Sequence, residues 1–189
     1  HALPLEEGCR VAVFGRNQLH YYRCGIGSGG MVNSAYVVSI LDALKADSDI
    51  VLNQAVLSAY EAWHEAHPLE GCNEWGEEPW SQAEMPLPEA LVQQAAKTSD
   101  AALICIGRTA GEDHDSSAAP GSFLLTEEEE RTIRLVCRYF PRSIVVLNTA
   151  GIIDMTWVKR CNPAAILYVW HGGQEGGNGA ADVLTGRVN

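Results

Sequence analysis

The sequence has few basic residues and no apolar run long enough to span a bilayer. Its 13 lysines and arginines are outnumbered by 24 aspartates and glutamates, which leaves a formal charge of -11 at pH 7. A surface of this sign repels phosphate backbones and anionic membranes, so we expect neither a nucleic acid nor a membrane as a partner.

Two further absences concern the cellular compartment. No signal-peptide pattern opens the sequence, and none of the six cysteines belongs to a CxxC pair. Cys105 and Cys137 lie inside apolar patterns, where cysteine behaves as a small buried hydrophobe. These features favour reduced thiols in an intracellular protein and predict a cytoplasmic location, with a disulfide framework as the alternative.

What the sequence does contain is an alternation of apolar runs with helical patterns. The alternation is typical of a parallel sheet covered on both faces, and it predicts a single doubly wound α/β domain over residues 1–189. Strands are predicted at 9–15, 49–53, 101–107, 143–148 and 164–170, and helices at 32–46, 55–67, 88–99, 126–140, 155–161 and 174–184. Thr126 and Glu129 have the spacing of a capping box at the start of the fourth helix.

Two segments interrupt this rhythm: an acidic insertion at about 68–88 and a loop at 107–125. The loop follows a central-looking strand, and ligands of open α/β sheets bind beyond the carboxyl ends of the strands. It carries Glu112, Asp113 and Asp115 within four residues. A carboxyl group crowded by acidic neighbours can have the raised pKa that a general acid needs. A solvated acidic turn is the alternative.

Three stretches in the second half of the chain carry a family resemblance. They are GEDHD at 111–115, VVLNTAG at 145–151 and WHGGQEGGN at 170–178. With them the chain resembles the second, C-terminal domain of family 3 glycoside hydrolases, the β-glucosidase family. The resemblance implies a mostly parallel, six-stranded sheet in a three-layer α/β/α sandwich. It also implies that this domain is a fragment of a longer enzyme, whose (α/β)8 barrel carries the nucleophilic Asp and shares a β-linked sugar substrate.

The resemblance also assigns the site residues. It places the general acid/base at Glu112 and makes Asp115 a supporting residue, while Ser28, Arg108 and His114 are expected to contact substrate. No cofactor and no metal are predicted. The implied function is retaining hydrolysis of terminal β-glycosides by the full-length protein, with the isolated domain inactive. The alternative is a non-catalytic carbohydrate-binding or domain-docking module.

Several other motifs have competing interpretations. Residues 25–30, GIGSGG, match the dinucleotide fingerprint, but the preceding strand ends about ten residues too early, so a sugar-contacting loop or a plain turn is preferred. His64, His67 and Cys72 suggest zinc, yet their spacing is wrong for HExxH and a solvated helix end is favoured.

Aromatic and glycine residues leave two more alternatives. Trp75 and Trp80 could stack on a sugar ring, although packing of the insertion onto the domain is the preferred interpretation. The glycine-rich turn at 172–176 could bind an anion at a helix start. Glu175 in that turn disfavours an anion, so tight strand–helix packing is expected.

Overall fold

The computed structural model describes residues 1–30, 32–72 and 77–188. Its sheet confirms the predicted doubly wound α/β class, with all strands parallel and in the order β2-β1-β3-β4-β5. The strands are β1 (Cys9–Phe14), β2 (Ile50–Leu52), β3 (Ala101–Arg108), β4 (Ser143–Thr149) and β5 (Ala165–Tyr168). Five strands are one fewer than the six implied by the resemblance, because no other described segment joins either edge of the sheet.

The helices form the two outer layers of the sandwich. They are α1 (Ile40–Ala46), α2 (Gln54–Ala66), α3 (Glu89–Thr98), α4 (Glu127–Tyr139), α5 (Val158–Cys161) and α6 (Gly176–Thr185), with short 3-10 helices at Arg16–Gln18 and Gly173–Glu175. Helices α1 and α6 cover one face of the sheet, and the other four cover the opposite face. Within the described ranges, none of these helices is both long and apolar enough to cross a membrane.

Every residue of β3 and β4 is buried, as expected of central strands with helices on both sides. Successive side chains alternate between the two faces, so Leu103 and Cys105 pack toward α1 and α6 while Ile104 and Ile106 pack toward α2, α3 and α4. The six cysteines carry free thiols, and Cys105 is a fully buried member of this core.

The first helix begins later than its pattern suggested. A helix was expected from residue 32, but α1 starts at Ile40, where Ser39 caps it and Asp42 completes a capping box. The segment before it is held by the main chain of a distant turn: the Val38 N–H donates to the Gln174 carbonyl at 2.9 Å, and the Val38 carbonyl accepts from Gly177 at 3.1 Å. This tertiary pairing overrides the local helical periodicity.

Candidate active site

The candidate site lies where the strand order reverses. Strands β1 and β3 lie side by side in the sheet. From β1 the chain continues to β2 on one side of this pair, and from β3 it continues to β4 on the other side. The loops that follow β1 and β3 therefore part at the carboxyl edge and leave a crevice, which is the usual ligand site of an open α/β sheet. The loop at 107–125 and the glycine loop at 25–30 both belong to this edge.

The two loops meet through their main chains. Ile26 and Gly111 form an isolated parallel bridge, and the Ile26 N–H donates to the Ala110 carbonyl at 3.2 Å. A side chain on Gly111 would collide with the Ile26 carbonyl. Gly27 has φ +88°, and a Cβ there would lie 2.5 Å from the Cβ of Glu112. Glycine is thus required on both loops, because only a bare main chain fits this approach.

Glu112 is exposed on the rim formed by these loops. Its carboxylate accepts a hydrogen bond from the Ser28 N–H at 3.1 Å, across 84 residues of sequence. Hydrogen bonds from the main chain and the side chain of Ser28 lower the pKa of Glu112 below its ordinary value. The expected rise was therefore wrong for this structure, because these bonds stabilise the charged form and no acidic neighbour contributes to the shift.

The turn that carries Glu112 is braced from outside by the insertion. Gly111 and His114 exchange main-chain hydrogen bonds of 3.2 and 3.0 Å. The His114 ring lies against Trp80, with 4.8 Å between ring centroids, and the indole N–H of Trp80 donates to the Asp115 carbonyl at 3.0 Å. Trp80 therefore packs the insertion onto the site loop, as preferred from sequence, while Trp75 lies outside the described residues. Only the main-chain carbonyl of Asp115 takes part in this contact, and the residue is exposed.

Arg108 was expected to contact substrate, but the structure leaves it no free side-chain donor. Its side chain is buried, and all five of its N–H groups are used inside the protein. The guanidinium forms a bidentate pair with Glu129, at 2.6 and 2.7 Å, and donates its remaining bonds to the carbonyls of Gly107, Ser122 and Leu124. Because no donor is left for a sugar, Arg108 holds the loop at 107–125 rather than the substrate.

Asn148 is a site-forming residue that sequence reasoning missed. It is fully buried at the end of β4, where its amide oxygen accepts from the Tyr22 N–H at 2.7 Å. Its amide nitrogen donates to the carbonyls of Tyr22 and Trp170 at 2.9 and 2.7 Å. Asn148 thereby ties two flanking loops to the sheet. The sequence signals it only as a polar residue near the end of an apolar strand, within the VVLNTAG stretch that carries the resemblance.

The glycine loop at 25–30 lacks the geometry of a dinucleotide site. That fingerprint joins a strand directly to the start of a helix, so that the pyrophosphate meets the helix N-terminus. Here β1 ends at Phe14 and α1 begins only at Ile40. The turn at 172–176 is likewise a packing feature, because a side chain on Gly176 would collide with the Tyr21 hydroxyl.

His64, in the last turn of α2, and His67, just after the helix, do not assemble the zinc set considered from sequence. His67 stacks on Trp63 with 4.3 Å between ring centroids, and its Nδ1 donates to the Trp63 carbonyl at 2.8 Å. Burial, together with the charges of Arg16 and His20, lowers the pKa of His64. Neither imidazole belongs to a possible metal-ligand cluster with Cys72 in the described part of the chain.

Apolar side chains are exposed after β4 and β5, beside the candidate site. Ile152 is 81% exposed and Trp170 55% exposed, and Ile152 borders the same small cleft as Arg108 and Ala110. Single exposed apolar residues are common on protein surfaces, so these two mark only where an apolar partner could be accommodated. Fold and edge together define a doubly wound α/β domain that presents a loop carboxylate and apolar side chains at the edge of the sheet where such folds usually bind ligands.

Comparisons with known proteins agree with this class. Residues 1–189 match the model of the glycosyl hydrolase family 3 C-terminal domain. A β-glucosidase of Ruminococcus albus is 47% identical over 187 residues, which cover 99% of this chain and 20% of the relative. The chain belongs to the glycosyl hydrolase family 3 C-terminal domain family.

Solved structures show the same relationship. A β-glucosidase from Paenibacillus barengoltzii aligns with a TM-score of 0.94 and 44% identity, covering 99% of this chain and 21% of that one. The β-glucosidase 3B of Thermotoga neapolitana, solved in complex with glucose, aligns with a TM-score of 0.86 and 31% identity, over 100% of this chain and 27% of that one. The chain thus spans about a fifth to a quarter of these relatives.

Proposed function

We propose that the full-length protein hydrolyses terminal β-glucosides with retention of configuration, and that this domain supplies Glu112 as the general acid/base. The observation that carries the proposal is the position of Glu112: an exposed carboxylate on the rim of the switch-point crevice, bound by the Ser28 N–H at 3.1 Å. The kinship with β-glucosidases supports the substrate class. A barrel domain of the same protein would provide the nucleophilic carboxylate and most of the sugar pocket.

The two steps assign opposite proton transfers to Glu112. In the first, the protonated carboxyl gives its proton to the glycosidic oxygen while the barrel carboxylate attacks the anomeric carbon and the aglycone leaves. In the second, the Glu112 carboxylate takes a proton from water, whose oxygen attacks the anomeric carbon and releases the barrel carboxylate. A single rim carboxylate cannot complete this cycle, so the isolated domain is expected to be inactive.

The lowered pKa of Glu112 is compatible with these steps only if the assembled site raises it. Exclusion of water by the barrel and the negative charge of a nearby nucleophile both disfavour the ionised form. The Ser28 N–H has a separate role: it stabilises the carboxylate that appears as the leaving oxygen is protonated. Ser28 thus acts on Glu112, while Asp115 and His114 remain candidates for support and for substrate contact.

The proposal is tested by Glu112→Gln in the full-length protein. Loss of the acid/base should lower kcat by about 10²–10⁴-fold for aryl glucosides with poor leaving groups, because their departure needs a proton. Good leaving groups should spare the first step, and added azide should restore turnover as a β-glucosyl azide product.

Asp113→Asn is the matched control for this experiment. Asp113 is an exposed carboxylate on the same turn with φ +63°, a conformation that Asn also adopts readily. We expect the kcat of the Asp113→Asn variant to change by less than about threefold, well below the loss expected for Glu112→Gln. Equal losses in the two variants, or no azide product from Glu112→Gln, would contradict the acid/base assignment.

A non-catalytic docking module is the second candidate function. The lowered pKa of Glu112 and the 81% exposure of Ile152 favour it, since docking needs an apolar surface and no proton donor. Under this alternative, Glu112→Gln would leave activity unchanged, whereas Ile152→Asp would abolish it by separating the domains. The two variants therefore discriminate between chemistry and docking.

A further inference from the structure

Three side chains of different chemistry, none of them among the candidate site residues, converge between the loop after β1 and the insertion. His20 belongs to the loop after β1, while Cys72 and Glu78 come from the insertion at 68–88. One ligand atom from each residue lies within 4.8 Å of the other two, the sole such grouping of His, Cys, Asp or Glu in the described ranges. Within this group, His20 Nε2 lies 2.9 Å from Glu78 Oε1.

Neighbouring side chains hold these groups in place. The His20 ring packs edge-on against the buried Tyr22, with 4.8 Å between centroids. The Gln82 amide exchanges hydrogen bonds of 2.9 Å with the Glu70 N–H and carbonyl, and its nitrogen lies 3.6 Å from the Cys72 sulfur. The segment of the insertion that carries Cys72 is thereby held by its own polar contacts.

We propose that His20, Cys72 and Glu78 form a zinc-binding site. Imidazole nitrogen, thiolate sulfur and carboxylate oxygen are the three ligand types that Zn²⁺ takes, whereas Mg²⁺ and Ca²⁺ select oxygen alone. Zinc at its usual bond lengths of about 2.0–2.3 Å brings ligand atoms to about 3.5 Å from one another. Because Cys72 is exposed, rotation of its side chain can close the remaining distance.

A metal ion bound here would link two loops, and restraining the insertion in this way would also restrain the loop that carries Glu112. Zinc would tie the insertion to the loop after β1, and the same insertion contacts the candidate active site through Trp80, against His114 and Asp115. The proposal does not depend on the glycosidase function, because metal binding is measured on the chain itself. Three protein ligands leave one tetrahedral position for water.

The test uses the purified chain freed of metal and titrated with Zn²⁺ and with Co²⁺. We expect one Zn²⁺ per chain, a thiolate-to-Co²⁺ absorption band in the near ultraviolet, and a Tm rise of about 5–10 °C at a hundredfold excess over Kd. Cys72→Ser, His20→Gln and Glu78→Gln should each abolish the band or weaken binding by at least about tenfold.

The matched controls are Cys24→Ser, which removes another partly exposed thiol near the same loop, and His67→Gln. Both should bind as the unaltered chain does. Absence of stoichiometric Zn²⁺ and of the Co²⁺ band in the unaltered chain would overturn the proposal without any variant. Binding that survives both His20→Gln and Glu78→Gln would also overturn it, because the metal would then be held by a thiol alone.

Discussion

Replacing Glu129 by Gln should destabilise the domain far more than the same change at its neighbour Glu130. Glu129 and Arg108 form a bidentate pair whose side chains are 5% and 6% exposed. The same carboxylate accepts the Thr126 N–H at 2.8 Å and completes the capping box of α4. Glu129→Gln keeps the shape of the side chain and removes its charge.

The expected cost follows from the burial of the pair. Removing one partner of a buried ion pair costs about 3–5 kcal/mol, because the other charge is left without compensation. Glutamine retains one acceptor oxygen, so we expect the lower end, about 3 kcal/mol. For a domain of this size that loss corresponds to a fall in Tm of about 6–12 °C.

Urea unfolding with linear extrapolation measures the loss, provided that the m-value is unchanged. Glu130 lies next along the same helix and pairs with Arg160 at 2.9 Å, but the two side chains are 24% and 52% exposed. A pair of that exposure contributes at most about 1 kcal/mol, so Glu130→Gln is the control. Equal losses in the two variants would refute the argument that burial sets the strength of the Arg108 pair.

Two further predictions concern the glycine loop and a buried acid. Gly27→Ala should lower kcat of the full-length protein by displacing Glu112, because Gly27 has φ +88° and an added Cβ would lie 2.5 Å from the Cβ of Glu112. The control, Gly29→Ala, should leave kcat unchanged, because a Cβ at Gly29 would meet open space. Desolvation, opposed by N–H bonds from Arg16 and Met85, raises the pKa of Glu84 to about 7 from 4.5. Between the unfolded pKa of 4.5 and the folded pKa of about 7, the folded chain holds a proton that the unfolded chain releases, so the free energy of unfolding should fall as pH rises, by at most about 3 kcal/mol. In Glu84→Gln, the free energies of unfolding measured by urea at about pH 5 and about pH 8 should differ less than in the unaltered chain.

Local patterns were sufficient for most of the secondary structure. The apolar runs of β3 and β4 and the Thr126–Glu129 capping box appear in the structure as predicted. The start of α1 was misplaced because the apolar periodicity of 37–44 was extended back to residue 32, while the main-chain partners of Val38 lie far away at Gln174 and Gly177. A window of neighbouring residues contains no information about such partners.

The candidate site was predictable from the sequence only in part. Family resemblance was sufficient to name Glu112, but the bond from Ser28 that lowers its pKa depends on β1 and β3 being adjacent, which no local pattern specifies. Arg108 was expected to contact substrate on the family resemblance alone, and nothing in the sequence pointed to its ion-pair partner. Its partner Glu129 lies 21 residues further on, and only the packing of α4 against the sheet brings the two charges together.

By itself, the sequence determined the α/β class, the approximate extents of most elements and the loop that carries the candidate acid/base. The tertiary structure alone decided which side chains of that loop can reach a ligand: Glu112 is exposed, whereas Arg108 is buried and paired with Glu129. It also decided that Cys72 lies beside His20 and Glu78. The physical reason is that propensity and periodicity act over a few residues, while hydrogen bonds, ion pairs and ligand sets join side chains that only the order of strands makes neighbours.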